Sequence, residues 1–185
     1  MDADQRRFTT EWRLIASDIL DVAADVLICS ANPHLNLSGG VGGSFLLRYG
    51  DEMQRLLHQS LEAQGKRFVD QGEVIAMPPC GSPYQAVLHA VGVDGFYQSS
   101  PKIVGDVVSK ALGIADEYGA EHVALSAIAT GFGRMPVADF ADGIRHLLKV
   151  NYSSIRRVTI CMSKPEDIKV IHQRLPGTQI LRHNP

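Results

Sequence analysis

The chain has 185 residues, 18 Lys and Arg against 20 Asp and Glu, a formal net charge of −2, and 45% hydrophobic and 21% charged residues. At this length folding buries about 70% of the unfolded surface without disulfide or metal staples, so one domain over residues 1–185 is expected. The mild acidity excludes a protein that holds nucleic acid chiefly by neutralising phosphates. The absence of any run of roughly 18 apolar residues excludes a membrane-spanning helix.

The start, Met1 to Arg7, is charged and has no apolar segment behind it, so a cytoplasmic protein without a membrane partner is expected. Phe8–Ala16 reads as an edge strand. Short β-branched and apolar runs bounded by turn residues follow at Asp25–Ser30, Glu73–Met77, Ala86–Val91, His122–Ala127 and Arg157–Met162, and these read as strands, mostly of the buried kind. Ser44–Leu61 reads as a helix broken at Gly50-Asp51. From Ile103 to Ala115, and from Val137 to Leu148, apolar residues recur at spacings of three and four. Pro165–Leu175 is a further helix and Thr178–Leu181 a second edge strand. Strands alternating with helices imply a mainly parallel sheet covered on both faces.

Cys29, Cys80 and Cys161 are far apart and odd in number, which suits reduced thiols. The seven histidines show no ligand spacing, so neither a metal site nor a cofactor is expected. Cys29 lies close to a glycine-rich turn, where a thiol can become a nucleophile. It also lies inside an apolar strand, where a thiol is inert packing. His89 stands alone among Val, Leu and Ala and reads as a structural residue.

Glycine is 17 of 185 residues, and six glycines fall in two loops. The segment after the strand at residues 25–30 contains Gly39, Gly40, Gly42 and Gly43 ahead of a helix. The segment after the strand at residues 122–127 contains Gly131 and Gly133, with Pro136 at the first helical position. In open α/β sheets ligands bind beyond the carboxyl ends of the strands. Consecutive backbone N–H groups at a helix start form a partly positive concavity that suits phosphate. Two such loops on one sheet suggest a ligand with a diphosphate between two larger groups. Either loop alone is also an ordinary tight connection. The run Gly131-Phe-Gly133-Arg-Met-Pro136 half-matches a dinucleotide fingerprint but lacks the third glycine, and neither loop carries G-K-[ST], so dehydrogenase and P-loop readings are poorer.

An ordered set of motifs resembles the macrodomain, the ADP-ribose-binding family. Ser17-Asp18-Ile19-Leu20 is similar to the family's G-D-I-T, and Asp25 to Asn32 to D-A-I-V-N-A-A-N. Ser38 to Ser44 is similar to G-G-G-V-D-G-A, and Ser126 to Pro136 to the second ligand loop. The resemblance covers nearly the whole chain. It implies a three-layer α/β/α sandwich with a mixed, mostly parallel central sheet, and a partner that is ADP-ribose or an ADP-ribosylated molecule; nucleic acid is not an expected partner. By the same resemblance Asp18 accepts from the adenine amine beside Ile19. Ala31 and Asn32 lie at the distal ribose, and Gly39, Gly40, Val41, Gly42 and Gly43 at the diphosphate. Ala129, Thr130, Gly131, Phe132, Gly133 and Arg134 form the second loop. Asp18 and Asn32 read equally as a turn cap and an Asx turn.

In the family's hydrolytic branch, the first Asn of N-A-A-N and the Asp of G-V-D-G are implicated in catalysis. Those positions here are Cys29 and Gly42, which removes the carboxylate that would activate water. The expected function is therefore a reader or sensor of ADP-ribosyl groups, with hydrolysis by another route as the alternative and Asn32 as its catalytic candidate.

Overall fold

The structure is a computed structural model that describes residues 9–181. Phe8, the first residue of the expected N-terminal strand, lies outside the described residues. The elements are β1 (Glu11–Ala16), β2 (Val26–Ala31), α1 (Gly40–Tyr49), α2 (Glu52–Ala63), β3 (Val74–Met77), β4 (Ala86–Val91), α3 (Pro101–Glu117), β5 (His122–Ser126), α4 (Val137–Ile144), β6 (Arg157–Met162), α5 (Pro165–Arg174) and β7 (Gln179–Ile180). Short 3₁₀ turns occupy Ile19–Asp21 and Arg145–Lys149. Among the described residues no helix is long and apolar enough to cross a membrane.

The strands form one sheet in the order β3-β4-β2-β5-β6-β1-β7. Its neighbours are parallel throughout except for the antiparallel pair β3 and β4. Successive side chains of a strand point to opposite faces, and the core divides accordingly. Leu27 and Cys29 pack with Phe45, Met53 and Leu57 of α1 and α2. Val26 and Ile28 pack with Val104, Val108, Phe140 and Ile168 of α3, α4 and α5. Helices thus cover both faces, giving the expected α/β/α sandwich with a mixed, mostly parallel sheet.

Three local expectations need correction. β1 is not an edge strand: it pairs with β6 along its length and with β7 through Arg13 and Leu14. Its buried and half-exposed residues still alternate, because the neighbour outside it contributes only two residues. α1 begins at Gly40 rather than Ser44, so the glycine run is the first turn of the helix and not a loop ahead of it. Glycine costs up to about 1 kcal/mol per residue in a helix, and here packing overrides that preference, with Gly42 buried against Leu37. Pro136 is the residue before α4 rather than its first member, and the stripe that begins at Val137 tightens into the 3₁₀ turn after Ile144. The expected break at Gly50-Asp51 does separate α1 from α2.

Helices α3 and α4 approach at glycines. A Cβ on Gly105 would lie 2.5 Å from the Gly143 carbonyl oxygen, and one on Gly143 would collide with the Pro101 carbonyl oxygen. Backbone cannot rotate away as a side chain can. A Gly143→Ala substitution should therefore cost about 2 kcal/mol, lowering Tm by roughly 4–8 °C. Gly113→Ala, also in α3 but with nothing within 4 Å of the added Cβ, should leave Tm unchanged or raise it. Parallel melts of the two variants test the contact.

On the opposite face Cys29 and His89 are cross-strand partners. The His89 ring lies between two sulfurs, with Nδ1 3.3 Å from Cys29 Sγ and Nε2 3.4 Å from Met53 Sδ. A thioether only accepts, so Nε2 carries the ring proton and the Cys29 S–H donates to Nδ1. Burial holds the His89 pKa down to about 4 against an ordinary value near 6.5. The unfolded chain takes up this proton near pH 6.5, whereas the folded chain resists until about pH 4. The stability contributed by neutral His89 is therefore complete above pH 6.5 and lost as the pH falls to 4, on the order of 3 kcal/mol in all. Urea midpoints measured across this window should fall more gently for His89→Leu than for the parent. Equal slopes would assign the acid loss to other groups.

Candidate functional site

The parallel strands align their carboxyl ends on one side of the sheet, and the loops leaving β1, β2, β4, β5 and β6 surround a cleft of about 860 Å³. Strand order sets its direction. It runs from Asp18, Ile19, Met162 and Lys164 after β1 and β6, across the β5 and β2 loops, to Val93 and Tyr97 after β4.

The floor forms where two neighbours separate. β2 and β5 pair from Val26 to Ile28 and no further, while β2 stays with β4 to Ala31. Hydroxyls replace the missing ladder bonds: Ser126 Oγ accepts from the Ser30 N–H at 3.0 Å, and Ser30 Oγ accepts from the Ala129 N–H at 3.4 Å. After β2 the chain turns to α1 and α2 on one face, and after β5 it turns to α4 on the other. This is the topology that opens a crevice between adjacent parallel strands.

On the β2 side, the Asn32 amide clamps its own loop, with Nδ2 donating to the Asn36 carbonyl at 2.8 Å and Oδ1 accepting from the Asn36 N–H at 3.3 Å. Gln54 reaches in from α2, accepting from the Leu37 N–H at 2.6 Å and donating to the Leu35 carbonyl at 3.0 Å. This doubly clamped loop delivers the chain to the first turn of α1. There the N–H groups of Gly40, Val41 and Gly42 have no hydrogen-bond partner among the described residues, as a helix start requires. Gly40 has φ +55° and open space where a Cβ would stand.

On the β5 side, Ala129 adopts φ +66°, a conformation that costs a non-glycine residue about 1 kcal/mol. Two bonds hold it there: the Met135 N–H donates to the Ala129 carbonyl at 3.1 Å, and Thr130 Oγ1 donates to the Ala127 carbonyl at 2.8 Å. The N–H groups of Gly131, Phe132 and Gly133 have no partner among the described residues. The Phe132 ring, 69% exposed, crosses to the other loop and rests on Gly39, so closely that a Cβ there would stand 2.7 Å from the ring.

Of the residues singled out in the sequence, Asp18, Ile19, Ala31, Asn32, Gly39, Gly40, Val41, Gly42, Ala129, Thr130, Gly131, Phe132 and Gly133 line the cleft; Gly43 and Arg134 do not. The Gly43 N–H is spent on the first helical bond, to the Gly39 carbonyl at 3.1 Å, and the Arg134 N–H closes a turn on Gly131 at 3.0 Å. Asp18 caps its 3₁₀ turn through Oδ1, 3.0 Å from the Leu20 nitrogen, while Oδ2 meets Arg48 at 3.0 Å. Arg48 also reaches Asp21 at 2.7 Å. Cys29 is absent from the cleft wall, and burial pushes its thiol up to about 12. The nearby His89, itself resistant to protonation, cannot serve as its activating base, so the nucleophile reading fails. Cys161 does line the cleft, with burial pushing its thiol to about 12 as well.

The sequence reading missed Gln54, Arg48 and Tyr97, which reach the site from three different elements and carry no local pattern. Ser30 and Ser126 fall within quoted motifs, but their bonds across the parted strands were not foreseen.

A family model described as Macro domain matches residues 28–144. An uncharacterized protein of Pyrobaculum aerophilum is 29% identical over 175 residues, covering 90% of this chain and 94% of its own. Among solved structures, a mutant of the Oceanobacillus iheyensis macrodomain with ADPR superposes with a TM-score of 0.79 at 18% identity, covering 95% of this chain and 96% of that one. The Trypanosoma brucei macrodomain in complex with ADP gives 0.72 at 18% identity, covering 89% and 68%. With the model matching well over half of the chain and the fold matching throughout, the protein belongs to the macro domain family.

Proposed function

We propose that the protein binds ADP-ribose, free or attached to another molecule, and acts as a reader or sensor of ADP-ribosyl groups. One observation carries this reading: two separate sets of unpartnered backbone N–H groups, at Gly40–Gly42 and Gly131–Gly133, border one cleft. Between them they offer a diphosphate more donors than it has non-bridging oxygens, without a cation. The adenine lies toward Asp18 and Ile19. The Asp18 carboxylate retains lone pairs for the exocyclic amine beyond those used by Leu20 and Arg48, and Met162 provides a polarizable apolar surface for the ring. The distal ribose lies toward Asn32, whose amide has one N–H and one lone pair to spare. Phe132 covers the middle. Solved structures of similar fold described with ADPR and with ADP support a ligand of this class.

The hydrolytic alternative has less to draw on. The titratable groups of the cleft wall are Asp18, Tyr97, Cys161, Lys164 and Asp167, and none belongs to either glycine segment. At Gly42 a Cβ would stand 3.0 Å from Leu37 Cδ2 and 3.2 Å from its Cα, so Leu37 occupies the room that a carboxylate would need.

Two outcomes test the reading. Calorimetry should show ADP-ribose binding, and Gly40→Glu should weaken it by at least a hundredfold while lowering Tm by only a few degrees, since only the left-handed φ is strained. No heat and no thermal shift at millimolar ADP-ribose would overturn the proposal. Introducing the absent carboxylate by Gly42→Asp should cost about 1–3 kcal/mol through crowding against Leu37, and should leave O-acetyl-ADP-ribose unhydrolysed. Turnover by this variant would show that the loop tolerates the acid and that only the side chain was missing.

A further inference from the structure

A second hollow of about 330 Å³ lies beside the cleft, walled by Pro33, His34, Phe68, Asp70, Asp94 and their neighbours. Two loops join the depressions. The segment after β2 gives Asn32 and Asn36 to the cleft and Pro33 and His34 to the hollow. The segment after β4 gives Val93 and Tyr97 to the cleft and Asp94 and Gly95 to the hollow. The hollow therefore adjoins the Asn32 end, where the ligand reading places the distal ribose and hence whatever is attached to it.

Its chemistry is specific. Phe68 is 54% exposed, and the His34 ring meets it edge-on at 6.3 Å and 74°. The charged groups on the walls are carboxylates. Neither Asp70 nor Asp94 forms an ion pair among the described residues. Asp94 Oδ1 accepts from the N–H groups of Phe96 and Gln98 at 2.9 and 2.8 Å. Lys66 and Arg67 precede Phe68 in the chain but do not line the hollow. An aromatic face flanked by unpaired carboxylates attracts a cation by its quadrupole and by charge together, and repels the phosphates of a nucleic acid.

We propose that this hollow seats a Lys or Arg side chain of the polypeptide that carries the ADP-ribosyl group, so that the protein prefers ADP-ribosylation sites in basic sequence. The inference rests on the ADP-ribose reading above. It adds a second contact, tethered to the first by the modified residue, so modest attraction in the hollow becomes a measurable preference.

The test compares three probes by calorimetry: free ADP-ribose, a peptide ADP-ribosylated on a serine flanked by arginines and lysines, and the same peptide flanked by glutamates and aspartates. The basic peptide should bind about tenfold tighter than the acidic one. Phe68→Ala and Asp70→Lys should each reduce that ratio to within about twofold while leaving the affinity for free ADP-ribose unchanged. Equal affinities for the two peptides, or a ratio that survives both variants, would overturn the docking site alone. An ADP-ribosylated oligonucleotide that binds tighter than the basic peptide would overturn it in favour of nucleic acid. Failure of free ADP-ribose to bind would instead overturn the ligand reading, and this inference with it.

Discussion

The site depends on one event in the backbone, the parting of β2 and β5 after Ile28 and Leu125. Parallel neighbours that stop pairing leave N–H groups that need other partners, and here the Ser30 and Ser126 hydroxyls accept from them. The same divergence sends one loop to helices on one face of the sheet and the other loop to a helix on the opposite face. Without it the two glycine segments would not border a common space. The serines are therefore structural before they are anything else: they hold the gap open at a defined width.

The cleft is built for polarity with little charge. Its donors are main-chain N–H groups, fixed in direction by a helix start and by a strained turn, and they add nothing to the formal charge of −2. The interior beneath follows the same rule. His89 and Cys29, which as an ion pair would have to be desolvated at large cost, remain neutral and satisfy each other and Met53. Leu37 extends the pattern to the loop, filling with hydrocarbon the space beside Gly42.

Much of this was legible in the sequence, and the failures have physical reasons. The strands at residues 26–31, 74–77, 86–91, 122–126 and 157–162 lie within one residue of the apolar runs that announced them, because buried parallel strands need continuous hydrophobicity. The start of α1 was not legible, because glycine disfavours helix locally and the packing that overrides the preference exists only after folding. β1 resembled an edge strand because the two-residue β7 hardly changes its exposure. Arg134 and Gly43 share a loop or a turn with residues of the cleft but do not line it, and their N–H groups are spent on local bonds, which is a matter of backbone path and not of composition. Gln54 braces its loop from α2 through two backbone bonds, a partnership that exists only after folding.

The contact between Phe132 and Gly39 joins two segments that are far apart in sequence. A side chain at position 39 would meet the outer end of an exposed ring, which can swing aside at small energetic cost, so a substitution there would redirect the ring more than it would destabilise the fold. The aromatic at one loop tip and the glycine at the other consequently form a single fitted unit. Transplanting either loop alone into another member of the family would carry half of a fitted pair, and the thermal stability of the chimera would give no sign of what had been lost.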